Sequence, residues 1–236
     1  MNSKLPLIMA HAGGDKYFQE NSLKAINQSN KLKPDIIELD VRKSKDNVLF
    51  CHHGKILLGL LKAYFSSYRK FDDIKKGKTI FTLEKILSEI KNNPIMYLDI
   101  KDKRINAKDI ENVFRKAKFS RVYIASYSKK YLVNLKNVLG KKYLYAYQHP
   151  IFFIKSFIKR YKGKINMVKI FRWEKKYFKE LKKQGFQPKL YYSFYSKKRY
   201  IEDSIKLKSL YICTGDTKKT RELMKKLLEI ENVVDF

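Results

Sequence analysis

The sequence predicts an α/β protein, a closed (β/α)8 TIM barrel with a short insertion after the second strand region, at about residues 55–79. Short apolar runs alternate regularly with segments of helical periodicity, which is typical of βαβ units around a parallel sheet. About eight such units can be counted, and this number favours a closed barrel over an open sheet. The sequence contains no Gly-rich fingerprint of a dinucleotide-binding fold. A length of 236 residues suits one barrel, so we predict a single domain over residues 1–236.

The predicted strands are short runs of branched and aromatic residues, bounded by turn-forming residues. They are Leu5–Ala10, Asp35–Arg42, Val48–Cys51, Ile95–Lys101, Arg121–Ser126, Tyr143–Tyr147, Asn166–Phe171, Lys189–Phe194 and Leu210–Cys213. The predicted helices show apolar residues at three- and four-residue spacing. They are Glu20–Leu32, Thr82–Asn92, Ala107–Lys118, Ser128–Leu139, Pro150–Tyr161, Trp173–Lys183, Lys197–Lys206 and Thr217–Ile230. Asn21 or Ser22 is expected to cap the first helix.

Charge and cysteine content indicate the surroundings of the protein but not its partner. The formal net charge is +30, and the lysines are spread along every segment. Such a field attracts anions in general, including nucleic acid, anionic lipid and phosphate esters. Cys51 and Cys213 are the only cysteines, which fits a reducing compartment. With no apolar run long enough for a leader or a membrane span, we predict a cytoplasmic protein.

The strand Asp35–Arg42 carries the first candidate site. Side chains alternate faces along a strand, so Glu38 and Asp40 point the same way. Two carboxylates on one face of an apolar strand are unfavourable unless a cation lies between them or one holds its proton. A hard divalent cation with oxygen ligands is one solution. The alternative is a strand end wetted by solvent, with the acids paired to lysines.

Further polar residues follow other predicted strands. Asp99 and Lys101 repeat the same-face pattern, and three of the four histidines lie just after strand-like runs. In a barrel, the carboxyl ends of the strands meet at one face, where active sites are built. We therefore expect six side chains to converge at one barrel mouth: His11, Glu38, Asp40, His53, Asp99 and Lys101.

Six short motifs occur in a fixed order along the chain. They are His11-Ala12-Gly13, Glu20-Asn21-Ser22, Glu38-Leu39-Asp40-Val41, Asp46 to His53, Phe81-Thr82-Leu83-Glu84 and Asp99-Ile100-Lys101. This series resembles the glycerophosphodiester phosphodiesterases, which are metal-dependent (β/α)8 enzymes. Their corresponding motifs read His-Arg-Gly, Glu-Asn-Thr/Ser, Glu-x-Asp, an Asp-Gly strand ending in the second catalytic histidine, Pro-Thr-Leu-Glu and Glu-x-Lys. The resemblance runs from His11 to about Thr214.

The resemblance implies roles for individual residues. It implies that His11 and His53 are the catalytic acid and base, in either order. His52 is predicted to be structural, because on a strand its side chain should face away from that of its neighbour His53. It implies a Mg²⁺ or Ca²⁺ ion held by the three acids Glu38, Asp40 and Asp99. Glu20 is a further candidate ligand. Ala12 replaces an arginine that holds phosphate in the family, and Lys101 is our first candidate to replace its charge. Tyr192 stands near a late-strand tryptophan of the family and is predicted to bind substrate.

The function implied is hydrolysis of glycerophosphodiesters to glycerol phosphate and an alcohol, within lipid and glycerol metabolism. One alternative is a phospholipase D of the sphingomyelinase or lysophospholipid type, which shares the barrel and the histidine pair. Another is a non-catalytic basic barrel that binds anionic surfaces. The small molecule would be a glycerophosphodiester or a lysophospholipid, and nucleic acid is not expected. The apolar, basic stretch Ile56–Phe71, which no barrel unit requires, is predicted to contact a membrane peripherally.

Overall fold

The computed structural model describes residues 6–14, 18–53, 68–76, 78–117, 119, 121–191 and 198–234. Eight parallel strands lie side by side, with the last strand of the chain next to the first and the others following in chain order. They are β1 (Leu7–Ala10), β2 (Ile36–Lys43), β5 (Ile95–Ile100), β6 (Val122–Ser126), β7 (Leu144–Tyr147), β8 (Met167–Phe171), β9 (Gln187–Tyr191) and β10 (Tyr211–Thr214). Strands β9 and β10 lie side by side, so the eight strands close on themselves. The predicted (β/α)8 barrel is confirmed.

The described part of the chain contains nine α-helices, and all but one of them pack against the outer face of these strands. They are α1 (Leu23–Leu32), α2 (Phe71–Lys75), α3 (Leu83–Glu89), α4 (Ala107–Lys116), α5 (Lys129–Leu139), α6 (Ile154–Tyr161), α7 (Phe178–Lys183), α8 (Lys198–Lys206) and α9 (Thr217–Val234). Ser22 is the N-cap of α1, because its hydroxyl accepts a hydrogen bond from the Ala25 amide at 3.2 Å. The main core lies between strands and helices, where Ile37, Leu39 and Leu98 are almost fully buried. Among the described helices, none combines the length and the apolar character needed to cross a bilayer.

A second, smaller core fills the inside of the barrel. Met9, Ile36, Tyr97, Tyr123 and Tyr211 are all at most 1% exposed and pack against one another there. Inward-facing positions alternate along a strand, so the next inward position toward the carboxyl end of each strand lies nearer the barrel mouth. Two residues beyond Ile36 and Tyr97 stand Glu38 and Asp99. The polar site therefore rests directly on a layer of buried aromatic rings.

A small antiparallel hairpin extends from the second barrel strand. β3 (Leu49–Cys51) pairs antiparallel with the end of β2, and β4 (Phe81–Thr82) pairs antiparallel with β3. Phe50 on β3 packs against Phe71 on α2, with 5.8 Å between ring centroids. Ile74 and Ile80 complete this satellite core.

The predicted membrane segment Ile56–Phe71 lies largely outside the described residues. At its described end Phe71 is 9% exposed, because it packs into the satellite core, whereas Tyr68 is 61% exposed. Phe71 therefore belongs to the protein interior.

Several predicted boundaries are wrong: α1 begins at Leu23 rather than Glu20, α3 ends at Glu89 rather than Asn92, and α9 ends at Val234 rather than Ile230. Strand β9 begins at Gln187, two residues before the predicted Lys189. Pro188 lies within this strand, although proline is uncommon inside strands, and this explains the late predicted start. The predicted helix Pro150–Tyr161 begins only at Ile154. The predicted helix Trp173–Lys183 is a 3-10 helix, Arg172–Tyr177, followed by α7.

Candidate active site

Three carboxylates meet at the carboxyl ends of β2 and β5. These strands pair in parallel, and Asp40 is the register partner of Asp99. Glu38, Asp40 and Asp99 are 4%, 0% and 4% exposed. Each offers one oxygen, and these oxygens lie within 4.8 Å of one another. We refer to Glu38, Asp40 and Asp99 as the acid cage.

Backbone and amide groups orient two of these acids. The Ala12 N–H donates to Glu38 Oε2 at 2.6 Å. The Asn21 side chain donates to Asp40 Oδ2 and accepts from the Asp40 N–H, both at 3.0 Å. Asn21 adopts the left-handed region, with φ 58°, which asparagine tolerates better than most residues. Asn21 was expected only to cap α1, and its contact with Asp40 is a positioning role that periodicity alone does not reveal.

Close packing against α1 holds the loop that carries His11 and Ala12. Gly14 has no side chain, and a Cβ at this position would lie 2.4 Å from the Ala25 carbonyl oxygen. Ser29 on the same helix donates to the Gly13 carbonyl at 2.9 Å. The turn after β1 is therefore fixed to α1 on one side and to Glu38 on the other.

Lys101 provides a positive charge between two acids of the cage. Its Nζ lies 2.9 Å from Asp40 Oδ1 and forms an ion pair with Asp99. Burial opposes protonation, yet the charges of Asp99 and Asp40 hold the pKa of Lys101 above its usual range. Lys101 Nζ also lies 5.2 Å from the centre of the Tyr127 ring. The lysine is therefore charged and held at the mouth.

The acid cage suits a hard divalent cation. Burial and the charges of Asp40 and Asp99 raise the pKa of Glu38 to about 8. Asp99 Oδ1 is buried and has no hydrogen-bond partner among the described residues. Three carboxylates with such a free oxygen match the oxygen ligands that Mg²⁺ and Ca²⁺ take. The described residues thus form a candidate metal site.

Two histidines face each other above the cage. His53 Nδ1 lies 2.8 Å from Asp40 Oδ2, and His11 Nε2 lies 4.0 Å from Glu38 Oε2. Their ring centroids are 5.9 Å apart. The hydrogen bond with Asp40 raises the pKa of His53, whereas burial lowers the pKa of His11 to about 4. The two rings thus differ in their affinity for a proton.

The remaining predicted residues lie as follows. His52 does not line the cavity, and its backbone N–H donates to the Asp40 carbonyl at 3.1 Å. Glu20 lines the cavity, but its side chain is 52% exposed, and its Oε2 lies 4.0 Å from His53 Nδ1. Tyr192 falls outside the described residues. The structure therefore brings together the six side chains expected to converge.

Two lysines on the opposite wall were missed in the sequence. Lys169 on β8 and Lys189 on β9 are register partners, and both line the cavity. The inward position of Lys169 could have been predicted, because this residue alternates with the apolar Val168 and Ile170 within a predicted strand. Lys189 was hidden because it stood at the first position of its predicted strand. The cavity measures about 280 Å³ and is lined by His11, Glu20, Glu38, His53, Tyr97, Asp99, Lys101, Tyr127, Gln148, Lys169, Lys189 and Cys213.

Solved structures similar to this chain share its fold. A glycerophosphodiester phosphodiesterase from Parabacteroides distasonis is 18% identical with a TM-score of 0.76, and covers 94% of this chain and 98% of its own. The enzyme from Thermotoga maritima is 18% identical with a TM-score of 0.69, at 94% and 98% coverage. An Oleispira antarctica phosphodiesterase in complex with the product sn-glycerol-3-phosphate is 15% identical with a TM-score of 0.74, also at 94% and 98%. A comparison with curated protein sequences found no match.

The family assignment rests on the sequence itself. The profile of the glycerophosphoryl diester phosphodiesterase family matches residues 11–154, which is more than half of the chain. This range begins at His11 and contains every residue of the acid cage, His53 and Lys101. The chain therefore belongs to the glycerophosphoryl diester phosphodiesterase family and is a phosphoric diester hydrolase.

Proposed function

We propose that this protein hydrolyses glycerophosphodiesters to glycerol phosphate and an alcohol, with a divalent metal ion and the histidines His11 and His53, in one barrel domain. The observation that carries the proposal is the convergence of two imidazoles, three carboxylates and a lysine on one cavity. The structure of the similar Oleispira antarctica phosphodiesterase contains its product sn-glycerol-3-phosphate. The same compound is the expected product here, which supports this substrate class.

Phosphodiesters resist attack because their negative charge repels nucleophiles and the alkoxide is a poor leaving group. A bound Mg²⁺ or Ca²⁺ would supply Lewis-acid neutralisation of the phosphoryl oxygens. Glu38, Asp40 and Asp99 are the residues that would hold it. Lys101, charged and next to the cage, would stabilise negative charge that develops on the phosphoryl group.

Proton transfer falls to the histidine pair. One imidazole accepts the proton of the attacking hydroxyl or water, and the other donates a proton to the leaving alkoxide. Rings 5.9 Å apart leave room for a phosphoryl group between them. Asp40 holds His53 through Nδ1, so the other ring nitrogen of His53 is the one available to the substrate.

A second candidate substrate is a lysophospholipid, which would make the enzyme a phospholipase D of the type named above. It is favoured by Phe152 and Phe153, which are 73% and 80% exposed. They follow the carboxyl end of β7, on the same face as the cavity, and could lie against an acyl chain. Glycerophosphocholine and lysophosphatidylcholine carry the same headgroup, so comparing their turnover separates the two functions.

The test is release of glycerol phosphate from a panel of glycerophosphodiesters, with Mg²⁺, with Ca²⁺ and with a chelator. We expect metal-dependent turnover that is lost in Asp99→Asn. Asp102→Asn is the matched control, because it makes the same substitution outside the cage at a residue paired with Arg104. No turnover of any diester or lysophospholipid with either metal would reject the proposal and favour the non-catalytic basic barrel.

The compartment proposed is the cytoplasm. Cys51 and Cys213 are both buried free thiols, which suits a reducing environment.

A further inference from the structure

Lys169 and Lys189 form an unusual pair on the wall of the barrel. They are direct register partners on the parallel strands β8 and β9. Like charges placed side by side on neighbouring strands destabilise a sheet. Lys189 is also 4% exposed, and lysine is almost never fully buried without a partner. The arrangement therefore costs stability, and a bound group of opposite charge would offset that cost.

Apolar and aromatic groups lie close to the ammonium group of Lys189 in the described part of the chain. Its Nζ lies 4.0 Å from the Met9 sulfur, 4.7 Å from the centre of the Tyr211 ring and 5.7 Å from that of Tyr97. In the described part of the chain, no carboxylate forms an ion pair with Lys189. Lys101 differs, because its charge is shared between Asp40 and Asp99. Lys189 Nζ therefore lies near aromatic rings on the wall of the cavity.

The position of the pair divides the cavity into two walls. Around the closed ring of eight strands, β8 lies four places from β2 and β9 lies four places from β5. The acid cage stands on β2 and β5, so the lysine pair stands across the mouth from it. If the phosphate group of a diester is held at the cage, one of its two ester substituents would extend across the cavity toward the lysine pair.

The charge on Lys169 is also sensitive to its neighbours. Burial and the charge of Lys189 lower its pKa to about 8. An anion bound between two ammonium groups favours the charged form of both. A ligand with negatively charged oxygens would thus suit the pair.

We propose that Lys169 and Lys189 bind a second anionic group on the substrate, carried by the alcohol half of the diester. This inference rests on the proposed function. The preferred substrates are then glycerophosphodiesters whose alcohol bears a carboxylate or a phosphomonoester. Glycerol itself carries only neutral hydroxyls, which is why the second charge is assigned to the alcohol.

Matched pairs of substrates test the proposal directly. Glycerophosphoserine differs from glycerophosphoethanolamine by one carboxylate, and glycerophosphoglycerol phosphate differs from glycerophosphoglycerol by one phosphomonoester. We expect the wild-type protein to show a higher kcat/KM for the anionic member of at least one pair. Which pair shows the preference identifies the anion.

Charge-removing variants locate the preference. Lys189→Met and Lys169→Met keep the length of the side chain, and each should lower kcat/KM for the anionic ester by about tenfold or more. The ester without the second anion should change much less. Lys179→Met, at an exposed lysine of α7, makes the same change in net charge and should leave both substrates unaffected. An equal loss on both members of a pair would overturn the proposal, since the lysines would then act on the shared phosphodiester.

A binding measurement keeps the test independent of turnover. Inorganic phosphate is titrated into metal-stripped protein, dialysed free of chelator, at constant ionic strength. We expect phosphate to raise the Tm of the wild type and of Lys179→Met but not of the Lys169 and Lys189 variants. If no diester is turned over but this pattern holds, the proposed function fails while the anion site stands. If turnover is normal, with no anionic preference and no phosphate effect, the proposed function stands and the anion site is rejected.

Discussion

His53 Nδ1 lies 2.8 Å from Asp40 Oδ2, so a single buried carboxylate joins a candidate catalytic ring to the acid cage. Asp40 also accepts a hydrogen bond from the side-chain amide of Asn21 and forms an ion pair with Lys101. Burial disfavours its charge, but the hydrogen bond with His53 and the charge of Lys101 hold the pKa of Asp40 well below its usual range. In the proposed mechanism, Asp40 would thus both hold the metal ion and orient the catalytic His53.

Adjacent histidines provide the sharpest test of the catalytic assignment. We expect His53→Ala and His11→Ala to lose about 10²-fold or more in kcat while still binding metal, because proton transfer is lost and the cage remains. His52→Ala is the matched control and should have nearly normal turnover, since its ring does not line the cavity. Loss of turnover in His52→Ala with full activity in His53→Ala would show that the second catalytic histidine is misplaced.

Metal should stabilise the folded protein. Without a cation the three carboxylates repel one another, so binding of Mg²⁺ or Ca²⁺ to the native state should raise the Tm of chelator-treated protein. At a concentration one hundred times the Kd, the gain in free energy of unfolding is about 2.7 kcal/mol. Asp40→Asn should shift the metal titration to higher concentration, and some activity should return there. An unchanged melting curve with both ions would contradict the metal site.

Asn21 should act through Asp40. Asn21→Gly removes the side-chain amide, yet glycine accepts the left-handed backbone without strain. Loss of the two hydrogen bonds to buried Asp40 should lower the free energy of unfolding by about 1–3 kcal/mol and weaken metal affinity. Denaturant melts and metal titrations measure the two effects. A variant with wild-type metal affinity would show that Asp40 does not need Asn21 for its orientation.

The buried Lys169 should leave a signature in stability against pH. Its pKa falls from 10.5 in the unfolded chain to about 8 in the folded protein. Between these two values the unfolded state binds more protons, so stability should rise with pH across the window from 8 to 10.5.

Below that window the full cost of the buried charge is present, and above it the cost is relieved. Lys169→Met should remove this contribution, on the order of 2 kcal/mol, so the variant should gain most over the wild type below pH 8. Denaturant melts at several pH values, with Lys179→Met for comparison, measure the difference. Parallel stability curves for wild type and Lys169→Met would contradict a lowered pKa at this position.

Much of this architecture follows from local patterns. Alternation along β2 predicted that Glu38 and Asp40 share a face, and the spacing of Asp99 and Lys101 predicted the same for β5. Both patterns depend only on the two-residue period of a strand, which the sequence displays.

Contacts that depend on tertiary packing could not be predicted in the same way. The bond between Asn21 and Asp40 requires the loop before α1 to fold over β2, and no periodicity encodes that approach. The role of Lys189 was not predicted, because Pro188 made the strand seem to begin only at Lys189. The pairing of Lys169 with Lys189 depends on the register of two strands separated by a whole helix.

The satellite core of Phe50, Phe71, Ile74 and Ile80 supports the hairpin that leads to His53. His11 and the acid cage stand on barrel strands or directly follow one, whereas His53 lies two residues after the hairpin strand β3. Opening of the hairpin would therefore displace His53 from the site, even if the other barrel strands stayed paired. If His53 is catalytic as proposed, turnover would then be lost at a lower temperature than the one at which the barrel melts.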